Sequence, residues 1–252
     1  MLIDIGLSCR EVTRRLNSVG VEPGDITAIM ITHAHGDHTC GARTFSKRHG
    51  VPVYTTKTIK NEWGVNDLSK WHVLTANHFQ QVCGLKFQPF AIPHDASETI
   101  AFRIETPDGP IGFATDVGAI TTEMVERFRD CCVLVIESNH ATELLRVSPY
   151  DIATRKRIAS SRGHLSNESL AAFIRTKMGP TVRCIVLAHL SRVNNVPEIA
   201  ELTCREALVA CGREDVQVIV AHQDRVAQTV DLASLFPMQQ SRTTLTQEGL
   251  LF

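Results

Sequence analysis

Thr32-His33-Ala34-His35-Gly36-Asp37-His38 places three imidazoles and a carboxylate within six residues, directly after the apolar stretch 28–32. On one rigid helix these side chains point to different faces. In a strand-to-helix loop they converge: His33 and His35 share one side of an extended segment, and Asp37 and His38 turn toward an adjacent point. Gly36 is expected to permit the turn between the two halves. Neutral imidazole suits Zn²⁺, Fe²⁺ and Mn²⁺, and carboxylates help to build a second, harder site. A single histidine here is ordinary surface; this density at the end of a buried strand reads as a metal-binding loop.

Outward from this loop, strand and helix patterns alternate, as in an α/β fold. Strands are expected at 2–5, 28–32, 51–54, within 82–91, at 100–106 and 111–114 (a hairpin through Pro107-Asp108-Gly109-Pro110), and at 133–137, 183–188 and 216–220. Helices are expected at about 8–19, 41–48, 121–128, 149–160, 166–178 and 197–211, with Ser8 and Ser166 as N-caps and Gly20 and Gly179-Pro180 as stops. Residues 1–230 read as one domain and 231–252 as a flexible tail.

A chain of 252 residues buries roughly three-quarters of its unfolded surface, enough to hold a rigid site without disulfides. No apolar run approaches the ~20 residues of a membrane span, and no basic start leads into a long apolar stretch, so a cytoplasmic protein is expected. The eight cysteines form no CxxC pair and read as buried reduced thiols, with a disulfide framework or a cysteine metal site as alternatives. A net charge of −1 advertises no nucleic-acid binding. Arg146, Arg155, Lys156, Arg157 and Arg162 do cluster, as a solvated helix face or a phosphate-backbone patch.

The 32–38 stretch resembles the HxHxDH signature of the metallo-β-lactamase superfamily, and later landmarks follow in that family's order. They are His94 in Ile92-Pro93-His94-Asp95, Asp116 in Ala114-Thr115-Asp116-Val117-Gly118 and His189 in Ala188-His189-Leu190-Ser191, with Asp4 in Ile3-Asp4-Ile5-Gly6 ahead of them. The resemblance implies an αββα sandwich of two mixed sheets flanked by helices. It places one metal ion on His33, His35 and His94, a second on Asp37, His38 and His189, and Asp116 between them, with Asp4 supporting from behind. Two such ions, about 3.5 Å apart, lower the pKa of bound water and clamp the attacked group. Asp37 and Asp116 are thereby implied in catalysis. The sequence does not choose among Zn²⁺, Mn²⁺ and Fe²⁺.

A narrower resemblance covers most of the chain. Glu137-Ser138-Asn139-His140, Arg162-Gly163-His164-Leu165-Ser166-Asn167 and His189-Leu190-Ser191-Arg192-Val193-Asn194-Asn195 are similar to blocks of the YycJ/WalJ family, described as 5′→3′ exodeoxyribonucleases linked to DNA mismatch repair. This implies DNA as substrate. Arg162, Ser166 and Asn139 become candidate phosphate contacts at a helix start, and His164 a proton donor to the leaving oxygen. Two features depart from the family. The Gly/Ser-rich strand expected ahead of Asp4 is not in the sequence: either the given start is internal to a longer reading frame, or the first hairpin is missing, in which case a sheet edge is exposed and support near Asp4 is weaker. His222 receives no role. The alternative readings are a small-molecule hydrolase of the same fold, acting on a cyclic phosphodiester or thioester, and a metal-binding scaffold without turnover.

The last residues, Gln247-Glu248-Gly249-Leu250-Leu251-Phe252, resemble the peptide by which bacterial replication proteins dock on the sliding clamp. Gln247, Leu250 and Phe252 would make the contacts. A tail folded back on its own domain is the other reading.

Overall fold

The computed structural model describes residues 1–68 and 70–235. Strands β1 (Leu2–Ile3), β2 (Ile29–Met30), β3 (Val53–Thr55) and β4 (Trp71–Val73) form a four-stranded sheet in that order. Every neighbouring pair in it is parallel, which corrects the expectation that both sheets are mixed. The second sheet is mixed and has seven strands. From one edge these are β5 (Gln80–Val82), β6 (Leu85–Ala91), β7 (Ile100–Glu105), β8 (Ile111–Ala114), β9 (Val133–Glu137), β10 (Cys184–Ala188) and β11 (Gln217–Val220). Pairing is antiparallel from β5 to β8 and parallel from β8 to β11.

The two sheets share a core. Ile29, Met30 and Val53 of the small sheet pack with Phe87, Ile100 and Phe102 of the large one, and with Cys9 of α1 (Cys9–Ser18) and Phe45 of α3 (Ala42–His49). A second core lies on the other side of the large sheet. There Phe90, Leu134, Ile136 and Ile185 meet Met124 and Phe128 of α5 (Thr122–Phe128), Leu170 and Ile174 of α8 (Asn167–Lys177) and Leu208 of α9 (Pro197–Ala210). Helices therefore cover both outer faces, the αββα layering. The expected N-caps form: Ser8 accepts from Glu11 N and Ser166 from Ser169 N. Among the described residues no helix is long and apolar enough to cross a membrane.

The short elements α2 (Gly36–Thr39), α4 (Lys57–Trp63), β4 and α6 (Thr142–Arg146) are not foreshadowed by the sequence pattern. Helix α7 (Ile152–Ile158) is shorter than expected. Beyond residue 230, Leu232 and Leu235 still pack against Ile219 and Cys132. Gln247, Leu250 and Phe252 lie outside the described residues. All eight cysteines are free, and Cys9, Cys131, Cys132, Cys184 and Cys204 are buried, while Cys40 and Cys83 are exposed.

Candidate metal centre

The site forms where the C-terminal ends of β1, β2, β8, β9 and β10 meet, the end at which open α/β sheets collect their ligands. Asp4 follows β1 with φ +57°, a left-handed conformation costly for a residue with a side chain. That conformation lets one carboxylate gather the signature loop. Oδ1 accepts from Thr32 N at 2.8 Å, and Oδ2 from Thr32 Oγ1 at 2.7 Å and His38 Nδ1 at 2.8 Å. Although β1 is a sheet edge, support at Asp4 is therefore complete. The next turn presses onto the loop: Ile5 N donates to His38 O at 2.8 Å, and a Cβ on Gly6 would lie 1.6 Å from Asp37 O. Gly36, expected to enable the turn, is the first residue of α2; it has no positive φ, and a Cβ there would meet nothing within 4 Å. The glycine this loop needs is Gly6.

Asp116 follows β8 with φ +57°, and His189 follows β10 with φ +55°. Between them β9 ends in Glu137, which is fully buried. Its Oε1 accepts from His189 Nδ1 at 2.7 Å and His164 Nδ1 at 2.9 Å, and its Oε2 from Val117 N at 2.7 Å and Leu165 N at 3.0 Å. Those four bonds saturate the carboxylate, so Glu137 orients imidazoles and does not itself face a metal. The sequence reading assigned it no role. One signal was there: a carboxylate closing the apolar strand Val133–Glu137 must find partners when buried.

His33, His38, His94 and His189 follow one plan: Nδ1 is tied to the protein and Nε2 is aimed at a common space. Thr32 Oγ1, donating to Asp4, accepts from His33 Nδ1 at 3.0 Å, and Gly163 O accepts from His94 Nδ1 at 2.9 Å. Asp4 and Glu137 do the same for His38 and His189. Fixing the far nitrogen in this way sets ring orientation and tautomer in metal-ligating histidines. The Nε2 atoms of His33, His38 and His94 and Oδ2 of Asp116 are buried without a hydrogen-bond partner. His33, His35 and His94 bring ligand atoms within 4.8 Å of one another, and so do Asp37, His38 and His189. Asp116 stands between the two groups, with Oδ2 3.0 Å from His38 Nε2 and Oδ1 3.4 Å from His94 Nε2. Orphaned donor atoms in this arrangement fit a pair of divalent cations.

Electrostatics divide the site. Burial, reinforced by the charge of His38, pushes His33 down to about 3, and burial also lowers His94, so both rings offer lone pairs. Burial works against a charged His38, yet the Asp116 carboxylate beside Nε2 and the hydrogen bond to Asp4 raise it to about 10. His189 is likewise held well above its ordinary value against burial, chiefly by the charge of Asp116 and the nearby carboxylate of Asp37. Asp37, beside His189, stays below the carboxylate range, and so does Asp116, where the charges of His189 and His38 outweigh burial. Protons on His38 and His189 thus occupy directions a cation would take.

The remaining predicted residues divide differently. His164 belongs to the site: its ring lies 5.0 Å from His94 and 5.5 Å from His189. Ser166, Asn139 and Arg162, the expected phosphate contacts, each have partners within the protein. The Ser166 hydroxyl accepts from Ser169 N as the cap of α8 and lies 3.1 Å from Ser169 Oγ. Asn139 Nδ2 donates to His189 O at 2.9 Å. Arg162 donates from Nε to His94 O and from Nη2 to Ala96 O, anchoring the His94 loop. His222 stays apart, with Nε2 2.7 Å from Arg225 Nη2. Of the basic cluster, Arg146 pairs with Glu143 and Arg157 with Asp95.

Beneath the site the three family-like blocks interlock. Asn195 Nδ2 donates to Ser138 O, Asn139 O and Asn167 Oδ1, and Asn167 Nδ2 donates back to Asn195 Oδ1. Ser138 Oγ donates to Asn167 Oδ1.

The family profile of the beta-lactamase superfamily domain matches residues 1–189. The chain is 33% identical over 210 residues to exodeoxyribonuclease WalJ of Streptococcus pneumoniae, spanning 81% of this chain and 78% of that protein. It is 26% identical over 216 residues to exodeoxyribonuclease YycJ of Bacillus anthracis, spanning 84% and 82%. Among solved structures, the metallo-beta-lactamase fold protein YhfI from Bacillus subtilis superposes with a TM-score of 0.66 at 13% identity, over 87% of this chain and 84% of that one, a likeness of fold. The chain belongs to the beta-lactamase superfamily and, within it, to the family of the WalJ and YycJ exodeoxyribonucleases.

Proposed function

We propose that this chain is a metal-dependent DNA exonuclease degrading from 5′ ends, in the cytoplasm and in mismatch repair. The observation that carries the reading is the convergence of tethered imidazoles on Asp116, in a chain whose similarity to WalJ spans most of both sequences. In this reading His33, His35 and His94 hold one ion, Asp37, His38 and His189 the other, and Asp116 serves both. Zn²⁺ and Mn²⁺ are the first candidates and Fe²⁺ the third. Bound ions would lower the pKa of water and neutralise charge on the phosphodiester.

The chain's own residues supply the rest. His164 gives its Nδ1 to Glu137, whose charge outweighs burial and raises the ring's affinity for a proton. It is the residue suited to protonate the leaving oxygen. Asp4 and Glu137 keep the ligand rings from turning. Eight free thiols fit a reducing compartment. Residues 1–230 carry this activity, and the tail from 231 recruits it to a sliding clamp through Gln247, Leu250 and Phe252. Fluorescence polarisation of a peptide of residues 247–252 against purified clamp tests the tail, and absence of binding at about 100 μM, an affinity weaker than about 5–6 kcal/mol, sinks that part.

The activity is tested with end-labelled linear duplex DNA and Mn²⁺ or Zn²⁺, beside bis-p-nitrophenyl phosphate. Loss of nucleotides from 5′ ends supports the reading, and Asp116→Ala abolishes it. Cleavage of the small ester alone transfers the assignment to a small-molecule hydrolase. No cleavage with either metal leaves a metal-binding scaffold.

A further inference from the structure

Asp95 follows His94 in the chain but lies outside the ligand set described above. Its Oδ1 is 3.0 Å from His94 Nε2, and both atoms are buried without a hydrogen-bond partner. The chemistry of that contact is unusual. The Gly163 carbonyl can only accept, so His94 carries a proton on Nδ1, and in the neutral ring Nε2 presents a lone pair. A lone pair and a carboxylate oxygen at 3.0 Å repel unless a positive charge lies against both. The carboxylate is nonetheless held there from the other side, where Oδ2 forms an ion pair with Nη1 of Arg157 on α7.

The spacing identifies the missing charge. Two ligand atoms about 2.1 Å from one ion and about 90° apart lie about 3.0 Å from each other, and at about 110° the separation is about 3.4 Å. The first figure matches Asp95 Oδ1 to His94 Nε2, and the second matches Asp116 Oδ1 to His94 Nε2 at 3.4 Å. Resting on the metal-centre reading above, we infer that Asp95 is a further ligand of the His33–His35–His94 ion, oriented by Arg157, and that it selects a six-coordinate, oxygen-tolerant cation such as Mn²⁺ over Zn²⁺. Three nitrogens and two carboxylate oxygens exceed what tetrahedral Zn²⁺ takes, whereas Mn²⁺ accommodates them with room for water.

The test titrates metal-stripped wild type, Asp95→Asn, Arg157→Gln and His35→Ala with Mn²⁺ alone and with Zn²⁺ alone by calorimetry, with Mn²⁺ electron paramagnetic resonance alongside. Asp95→Asn is nearly isosteric, and a thermal melt verifies its fold. The expected result is at least about a tenfold loss of Mn²⁺ affinity at one of two sites, with Zn²⁺ affinity changed less than about threefold. Arg157→Gln, which leaves the carboxylate in place but unanchored, shows the same selective loss at smaller size. Unchanged Mn²⁺ affinity in Asp95→Asn, or equal losses for both metals, overturns the inference. If His35→Ala also binds both metals as wild type does, it is the metal-centre reading itself that fails.

Discussion

Glu137 shows how one side chain commits a site to a geometry. It is a carboxylate with no exposed surface, and it is stable there because two imidazole N–H groups and two backbone N–H groups converge on it. Glutamine keeps the shape but replaces one accepting oxygen with a donor. Two of the four N–H groups then face an NH₂, and a buried donor without an acceptor costs about 1–3 kcal/mol. Glu137→Gln is therefore expected to lower the thermal midpoint of the metal-free chain. It should also weaken metal binding at the Asp37–His38–His189 half by about 10- to 100-fold, the usual cost of losing the partner that orients a ligand histidine. Asp4→Asn should act on His38 in the same way. Calorimetric titration checks both, and unchanged affinity in Glu137→Gln would show that His189 needs no such partner. Strain enters at the same scale. Asp4, Asp116 and His189 hold positive φ at about 1–3 kcal/mol each, which only an over-determined site sustains.

At the scale of elements, the loops after β9 and β10 and the start of α8 behave as one unit because Asn167 and Asn195 exchange amide hydrogen bonds under them. Asn195→Ala strands the backbone carbonyl of Ser138 and the Nδ2 group of Asn167, while Asn139 O keeps its bond from Ser191 N and Asn167 Oδ1 its bond from Ser138 Oγ. A loss of about 2–4 kcal/mol of stability is expected, since each buried group left unpaired costs about 1–3 kcal/mol. Urea unfolding measures it, and a change below about 0.5 kcal/mol would mean the unit holds without its amides. This knot explains what the sequence did and did not disclose. Apolar strands such as Val133–Glu137 and Cys184–Ala188 were legible because a buried strand needs no long-range information to be recognised. The ligand residues were legible because their types and order are themselves the signal. The partners were not: Glu137 meets His164 and His189 from 27 and 52 residues away. Ser166 is legible as a cap because a serine ahead of an amphipathic run is itself the signal. Helix α4 was missed because Lys57–Trp63 is short and mostly polar, with only Ile59 buried.

For the whole molecule, the protonation pattern couples metal binding to stability. In the metal-free chain His38 is raised from 6.5 to about 10 by the adjacent Asp116 carboxylate and its hydrogen bond to Asp4, which overcome burial. A group raised on folding stabilises the native state fully below its unfolded value. That contribution is lost as pH rises through its folded value, so the window here runs from about 6.5 to about 10. Across it the metal-free protein should grow less stable, while a cation that displaces the same proton binds more tightly. If one proton leaves per ion, apparent affinity rises about tenfold, or about 1.4 kcal/mol, per pH unit. For a chain of this size about 1 kcal/mol moves the midpoint by roughly 2–4 °C. The gap between metal-loaded and metal-stripped melting temperatures is therefore expected to widen by several degrees between pH 6.5 and 8.5 at fixed free metal. The measurement is a pair of calorimetric scans at each pH in matched ionic strength. A gap that stays constant would mean that binding displaces no proton. His38 would then already be neutral in the folded chain, and Asp116 would meet the metal without competition.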